Sequence, residues 1–237
     1  MAKITREKFR TYENVFDQFT LRNLFKLQNQ GYFEVDTLSP VSIGKESNVF
    51  SAKDKKGKKV IIKIYRLETC DFNRMYDYIK FDPRYEKIKK GKRNIVFSWT
   101  QREFRNLMIA REANCNAPLA IARMHNILIL EFIGKDHPAL KLKDYVPETR
   151  KKLESFLQEI IKNMKKIHNK GLVHGDLSSF NILNFNDKPV FIDFSQATTT
   201  KSARADELLE RDSTNISNFF SKHGLRVTAG KIIRQIK

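Results

Sequence analysis

Two cysteines in 237 residues, Cys70 and Cys115, stand far apart and without metal-ligand spacing. That scarcity argues against a disulfide scaffold and against a cysteine-held zinc site; both are expected as free thiols in a reducing compartment. The five histidines are scattered, and His168 and His174 fall on opposite sides of an expected helix end, which argues against zinc again. Long apolar runs are missing: a stretch such as Ile127 to Leu130 is far too short to cross a bilayer. Met1 to Phe9 has no apolar signal core. A cytoplasmic protein with no membrane association is expected. Internal repeats and low-complexity segments are absent too. Acidic residues are in deficit, 27 Asp and Glu against 45 Lys and Arg, for a formal charge of +18. A surface so basic attracts polyanions, RNA first among those of the cytoplasm.

What is present is a foldable core: 41% hydrophobic residues and 18 Phe suit one or two domains. Residues 1–36 read as an N-terminal helical extension, from the spacing of Phe16, Phe19, Leu21, Leu24, Phe25 and Leu27 to the stop at Gly31. Residues 37–67 read as β structure, with a Gly44 turn and the β-branched run Val60 to Tyr65. Residues 68–97, with the cationic Arg84 to Arg93, read as a mobile basic loop ordered only with a partner. Trp99 to Glu112 reads as a helix with Phe104, Leu107 and Met108 on one face, and Ile127 to Phe132 as a buried strand. Leu153, Phe156, Leu157, Ile160, Ile161, Met164 and Ile167 form the stripe of a long amphipathic helix between Pro147 and Gly171. Two short strands follow, around Ile182-Leu183 and Val190 to Ile192, and then a helix over Asp206 to Phe220 with Leu208, Leu209, Ile216 and Phe219 inward. Strands, helix, strand, long helix, loop, hairpin, helix is the order of a two-lobed protein-kinase-like α+β fold, divided here into an extension (1–36), an N-lobe (37–132) and a reduced C-lobe (133–237).

The chemistry concentrates between His174 and Phe194. Asp176 lies in a loop, Asn181 follows five residues later, and Asp193 ends a second short strand. Phosphoryl transfer needs that combination: a carboxylate to orient or deprotonate the accepting hydroxyl, and an amide with a second carboxylate to hold metal on a triphosphate. Asn181 and Asp193 are the hard oxygen ligands that Mg²⁺ prefers, Mn²⁺ being the other candidate. Each residue alone reads equally well as a turn, a cap or a strand terminator; the joint spacing carries the assignment. Upstream, Gly44, Lys45, Glu46, Ser47 and Val49 sit where a turn would cover phosphates, although G-x-G-x-x-G is absent and only one glycine is present. Lys63, between apolar neighbours, needs an anion: the ATP phosphates, and a helix carboxylate for which Glu103 is first choice and Glu112 second. The main chain of Glu131 and Ile133, after the buried strand, is the expected hinge for an adenine edge.

With these residues in place the chain resembles the RIO-type atypical serine/threonine protein kinases, and most of all their Rio-one branch. The resemblance runs from about Leu21 to Leu225. It is carried by Ile43 to Phe50, Ile62 to Arg66, Ser98 to Leu107, Phe132 to Asp136, Leu172 to Asn181, Ile192 to Ala197, and Leu209 to Asp212 with Ile216, Phe219 and Phe220. Gly175 stands where that branch often has Ala, and Ser195 where common kinases have the Gly of D-F-G. The resemblance implies a C-lobe trimmed of the activation segment and the peptide-binding subdomains, so a typical peptide groove is not expected. It also implies ATP and Mg²⁺ as cofactors, autophosphorylation, ATPase switching with transfer to Asp193, and action on the precursor small ribosomal subunit through ribosomal RNA. A monomer is the expected state. Small-molecule phosphotransferases and the small tRNA-modification ATPase kinase share H-G-D. The first usually carry a larger helical C-terminal region, and the Lys45 to Phe50 turn and the Trp99 helix favour the RIO resemblance over the second. An RNA-binding scaffold with a dead nucleotide site is the non-enzymatic alternative, opposed by the complete Lys63, Asp176, Asn181 and Asp193 set.

Overall fold

The structure, a computed structural model, describes residues 16–85 and 91–237; the expectations for residues 1–15 and 86–90 lie outside it. The elements in chain order are α1 (Gln18–Asn29), β1 (Glu34–Ile43), β2 (Ser47–Lys53), β3 (Lys59–Tyr65), α2 (Phe72–Lys80), α3 (Lys92–Glu112), β4 (Ala120–Met124), β5 (Ile127–Glu131), α4 (Arg150–Asn169), β6 (Leu172–Val173), β7 (Ile182–Phe185), β8 (Lys188–Phe191), β9 (Thr198–Thr199), α5 (Ala205–Lys222) and α6 (Ala229–Ile236). They form two compact units. Among the described residues, the first takes in 16–76, 91–101 and 120–132, and the second 77–85, 102–119 and 133–237. The division is thus not contiguous in sequence, since α2 and α3 each contribute residues to both units.

In the first unit five antiparallel strands run in the order β1-β2-β3-β5-β4. Strand alternation decides what faces the core. Phe50 and Ala52 of β2, Val60, Ile62 and Ile64 of β3, and Ile127 and Ile129 of β5 cluster with Leu21, Leu24 and Leu27 of α1. Asp17 caps that helix, accepting from the Thr20 N–H at 3.0 Å and from the Thr20 hydroxyl at 2.6 Å. The intervening positions Val49, Lys63 and Leu128 share the opposite sheet face, paired in register across β2, β3 and β5.

In the second unit α4 buries all seven residues of its expected stripe, starts at the Thr149 cap and stops before Gly171 at φ 77°. β7 and β8 form a hairpin through Asn186 and Asp187, both at positive φ. α5 buries Leu208, Leu209, Asp212, Ile216 and Phe220.

Three expectations are corrected. Residues 68–97 were expected as a loop, but α2 and the start of α3 lie within them. The segment read as a loop contains Met75, Tyr78 and Ile79, a buried helical face at i, i+3 and i+4. On α3, Met108 is 46% exposed, and the buried face is instead Val96, Trp99, Arg102, Glu103, Asn106 and Leu107. On α5 the fully buried ring is Phe220, with Phe219 half-buried beside it.

Candidate active site

The phosphate-type turn occupies residues 44–46 between β1 and β2. The Gly44 N–H donates to the Ser47 carbonyl at 3.0 Å, and a Cβ on Gly44 would lie 2.9 Å from that same oxygen. Glycine is therefore required by backbone crowding. The Glu46 carbonyl accepts from the Arg66 N–H at 3.0 Å and from the Cys70 thiol at 3.2 Å, which ties the turn to the end of β3. Lys45 is exposed, and Glu46, Ser47 and Val49 are half-buried. Lys63 is 7% exposed, its ammonium 5.1 Å from the Tyr65 ring centroid. Glu131 ends β5, paired in register with Val60.

In the second unit, Glu103 is completely buried on α3, whereas Glu112, the second choice, is exposed at the helix end. A carboxylate with no access to water requires a counter-charge or donors. The Ile133 carbonyl accepts from the Ala139 N–H at 2.9 Å.

The loop from His174 to Asn181 is tied together and to its neighbours by hydrogen bonds. The Asn181 side-chain amide donates to both the carbonyl (2.8 Å) and the carboxylate Oδ2 (3.0 Å) of Asp176. Its Nδ2 thus holds the Asp176 side chain, and Oδ1 is the atom it has for a cation. The Asn181 carbonyl accepts from the Ile192 N–H at 3.0 Å, and His174 Nε2 meets the Ile192 carbonyl at 3.2 Å. Both contacts fasten the loop to the residue preceding Asp193. Asp193 itself has φ 62° and ψ 69°, a left-handed conformation rare outside glycine. Its Oδ1 accepts from the Ser195 hydroxyl at 2.7 Å. The structure thus brings Asp176, Asn181 and Asp193 into one hydrogen-bonded assembly.

Two supports escaped the sequence reading. On α5, the buried Asp212 carboxylate accepts from the Gly175 N–H at 2.7 Å and the Leu177 N–H at 2.8 Å, gripping the backbone on both sides of Asp176. Arg211 donates to the Gly175 carbonyl, and Asn215 to the Leu177 carbonyl at 3.1 Å. Burial pushes the Asp212 carboxyl up to about 7, against the pull of the two N–H donors and of Arg211, with the Asp176 charge adding to the rise. On α3, Asn106 donates to the Phe194 (3.0 Å) and Ala197 (2.7 Å) carbonyls, and Arg102 donates to the Ala197 (3.0 Å) and Gln196 (3.3 Å) carbonyls. These bonds fix the backbone that follows Asp193. Burial lowers the Arg102 guanidinium to about 10, opposed by Asp82 at 3.5 Å. The available signal was the i, i+4 spacing of two polar residues on the helix face that also carries Leu107 and Ala110.

The donor set suits a small hard cation. Asn181 and Asp193 offer only oxygens, and among the described residues no group of three or more His, Cys, Asp or Glu converges on a metal-binding point. A cation held by two protein oxygens takes the rest of its shell from phosphate and water, as Mg²⁺ does.

Comparison with known proteins follows the same line. The RIO domain model matches residues 48–232, starting in β2 just past the phosphate-type turn. The RIO-type serine/threonine-protein kinase Rio1 of Methanocaldococcus jannaschii is 43% identical over 218 residues, covering 91% of this chain and 73% of that protein. Human serine/threonine-protein kinase RIO1 is 34% identical over 221 residues, covering 92% of this chain but 39% of its own length. The solved Rio2 kinase–ADP/Mg²⁺–phosphoaspartate complex from Chaetomium thermophilum superposes with a TM-score of 0.66 at 22% identity, over 90% of this chain and 65% of that one. The protein-kinase-like α+β fold is thereby shown.

Proposed function

We propose, from the premise that this chain belongs to the RIO family of serine/threonine-protein kinases and to its Rio1 branch, that it moves the γ-phosphoryl group of ATP onto a serine or threonine hydroxyl, its own included, or onto water by way of Asp193. The observation that carries this reading is the Asp176–Asn181–Asp193 assembly, held from behind by Asp212 and Asn106. Asp176 orients the hydroxyl and takes its proton as the new O–P bond forms; the bond from the γ-phosphorus to the bridging oxygen breaks, and ADP leaves. Asn181 Oδ1 and the Asp193 carboxylate would hold Mg²⁺, which when bound would neutralise charge on the phosphates. Lys63 and the Gly44–Ser47 turn hold the phosphate tail, and the main chain of Glu131 and Ile133 meets the adenine. In the hydrolytic branch an Asp193 oxygen attacks the γ-phosphorus as the bond to the bridging oxygen breaks and ADP leaves; water then hydrolyses the aspartyl phosphate, releasing inorganic phosphate and restoring the Asp193 carboxylate.

The formal charge of +18 supports docking on ribosomal RNA, and with it a role in maturation of the small ribosomal subunit in the cytoplasm. No helix among the described residues is long and apolar enough to cross a membrane. ATP turnover measured with and without purified precursor small subunits tests the reading. Stimulation by the precursor, lost in Asp176→Ala, is the expected result; turnover indifferent to both would overturn it.

A further inference from the structure

Ser195 supplies a hydroxyl where a glycine would have none, and the structure holds it against the carboxylate two residues back. Its Oγ lies 2.7 Å from Asp193 Oδ1. An ionised carboxylate has no hydrogen to give, so Ser195 is the donor. Ser195 is 6% exposed, so little water competes for that hydroxyl. The turn that carries it, Phe194–Gln196, is held on both sides of Ser195: Asn106 donates to the Phe194 carbonyl at 3.0 Å, and Arg102 to the Gln196 carbonyl at 3.3 Å. Donor and acceptor are thus adjacent on backbone that buried side chains of α3 fix in place. Attack on phosphorus by Oδ1 would break the Ser195 bond, whereas attack by Oδ2 keeps it.

The consequence lies in the charge on the acceptor. Before transfer, Oδ1 belongs to the carboxylate nucleophile and the bond is charge-assisted. Once Oδ2 carries a phosphoryl group, Oδ1 is the carbonyl oxygen of a mixed anhydride, a neutral acceptor. A hydrogen bond to a charged group is roughly twice as strong as one between neutral groups. Ser195 therefore favours the free carboxylate over the aspartyl phosphate. Hydrolysis restores that carboxylate: the oxygen of water bonds to phosphorus, the electron pair of the Oδ2–P bond returns to the carboxyl group, and both hydrogens of the water leave with inorganic phosphate. In a loose transition state the Oδ2–P bond is nearly broken, so the carboxyl group already bears most of its charge. In the attack by Asp193 the same bond has barely formed, so the carboxyl group still bears most of its charge there too. The hydroxyl thus lowers the barrier to release and leaves the barrier to attack nearly where it was.

We propose that Ser195 is a positioning residue that directs the phosphoryl group to Oδ2 of Asp193 and shortens the life of the aspartyl phosphate formed there. This rests on the transfer to Asp193 proposed above. The hydroxyl sets how long the phosphorylated state lasts, and not how fast it is reached.

In the test the full chain is labelled with γ-labelled ATP and Mg²⁺ and chased with unlabelled ATP, and the hydroxylamine-labile label is followed in wild type, Ser195→Ala and Ser195→Thr. The half-life of the label should lengthen about fivefold in Ser195→Ala, the difference between a charged and a neutral hydrogen bond. Ser195→Thr keeps the hydroxyl and should return the half-life toward the wild-type value. The initial rate of labelling and the melting curve should match wild type in Ser195→Ala. A half-life in Ser195→Ala equal to or shorter than that of the wild type overturns the proposal. So does an equal slowing of labelling and release, the mark of a carboxylate merely displaced. Label that resists hydroxylamine and disappears in Ser195→Ala would make Ser195 itself the acceptor and overturns it too. A wild type that turns over ATP and never carries hydroxylamine-labile label refutes transfer to Asp193 and the role of Ser195 with it, whereas absence of ATP turnover refutes the kinase reading itself.

Discussion

Replacing Asp212 by alanine removes one carboxylate and exposes the logic of the whole loop. The two acceptors it supplies, at 2.7 and 2.8 Å, satisfy N–H groups of Gly175 and Leu177 that have no water to turn to, because Asp212 is 1% exposed. Each orphaned buried donor costs about 1–3 kcal/mol. Removing a carboxylate that burial already disfavours returns part of that, so a net loss of about 2–4 kcal/mol is expected. The Asp176 carboxylate hangs between the two freed amides, and a shift of about 1 Å in such a group costs on the order of 100-fold in rate. Asp212→Asn keeps one acceptor and turns an N–H donor toward the other amide, so it should fall between. The pH dependence has a definite sign. The carboxyl ionises near 3.8 when unfolded and near 7 when folded, so between those values the folded state holds the extra proton and rising pH favours unfolding through this group. The wild type should lose stability from this source between about pH 4 and pH 7, and Asp212→Ala should not, so the gap between them narrows as pH rises. Urea denaturation at several pH values, with ATP turnover on the same samples, measures all three. An alanine variant within about 0.5 kcal/mol of wild type, a surface-like effect, and unaltered in turnover would refute the argument.

Asp176→Ala should lower ATP turnover by about 100- to 10,000-fold while RNA affinity, measured by fluorescence anisotropy, stays at the wild-type value. Gly44→Ala forces a Cβ to within 2.9 Å of the Ser47 carbonyl; the turn must open, and KM for ATP should rise with little change in global stability. Cys70 and Cys115 are both buried, and burial pushes both thiols up to about 12. Neither should react with a thiol reagent at neutral pH until denaturant is added. Affinity for ribosomal RNA should fall steeply from low to moderate salt, with a log–log slope that counts the phosphate contacts.

The parts of this protein that were legible in its sequence are those where one physical signal dominates. The α4 stripe is a clean 3.6-residue pattern with a cap and a glycine stop, and every residue of it is buried. The strand around Lys63 was legible from its β-branched run, and the hydrogen-bonded neighbourhood of Asp176, Asn181 and Asp193 from three polar residues that punctuate short apolar runs. Legibility failed where burial is polar. Arg102, Glu103 and Asn106 make the inner face of α3 look like an outer one, and the apolar face of Phe104, Leu107 and Met108 read from the sequence ends in a Met108 that is 46% exposed. Asp212 sits on the apolar stripe of α5 and bonds backbone groups 35 and 37 residues earlier, a contact with no local trace. In α2, the buried face is only Met75, Tyr78 and Ile79, too short a pattern to stand out in a polar segment.

The central claim is that Asp176, Asn181 and Asp193 act together on one phosphoryl group, and transfer of label from γ-labelled ATP in the presence of Mg²⁺ tests it most directly. Wild-type protein should acquire label or release labelled phosphate, and Asp176→Asn, Asn181→Ala and Asp193→Asn should each abolish the signal while leaving the fold intact by circular dichroism. Label transfer at the wild-type rate in any one of the three would contradict the account.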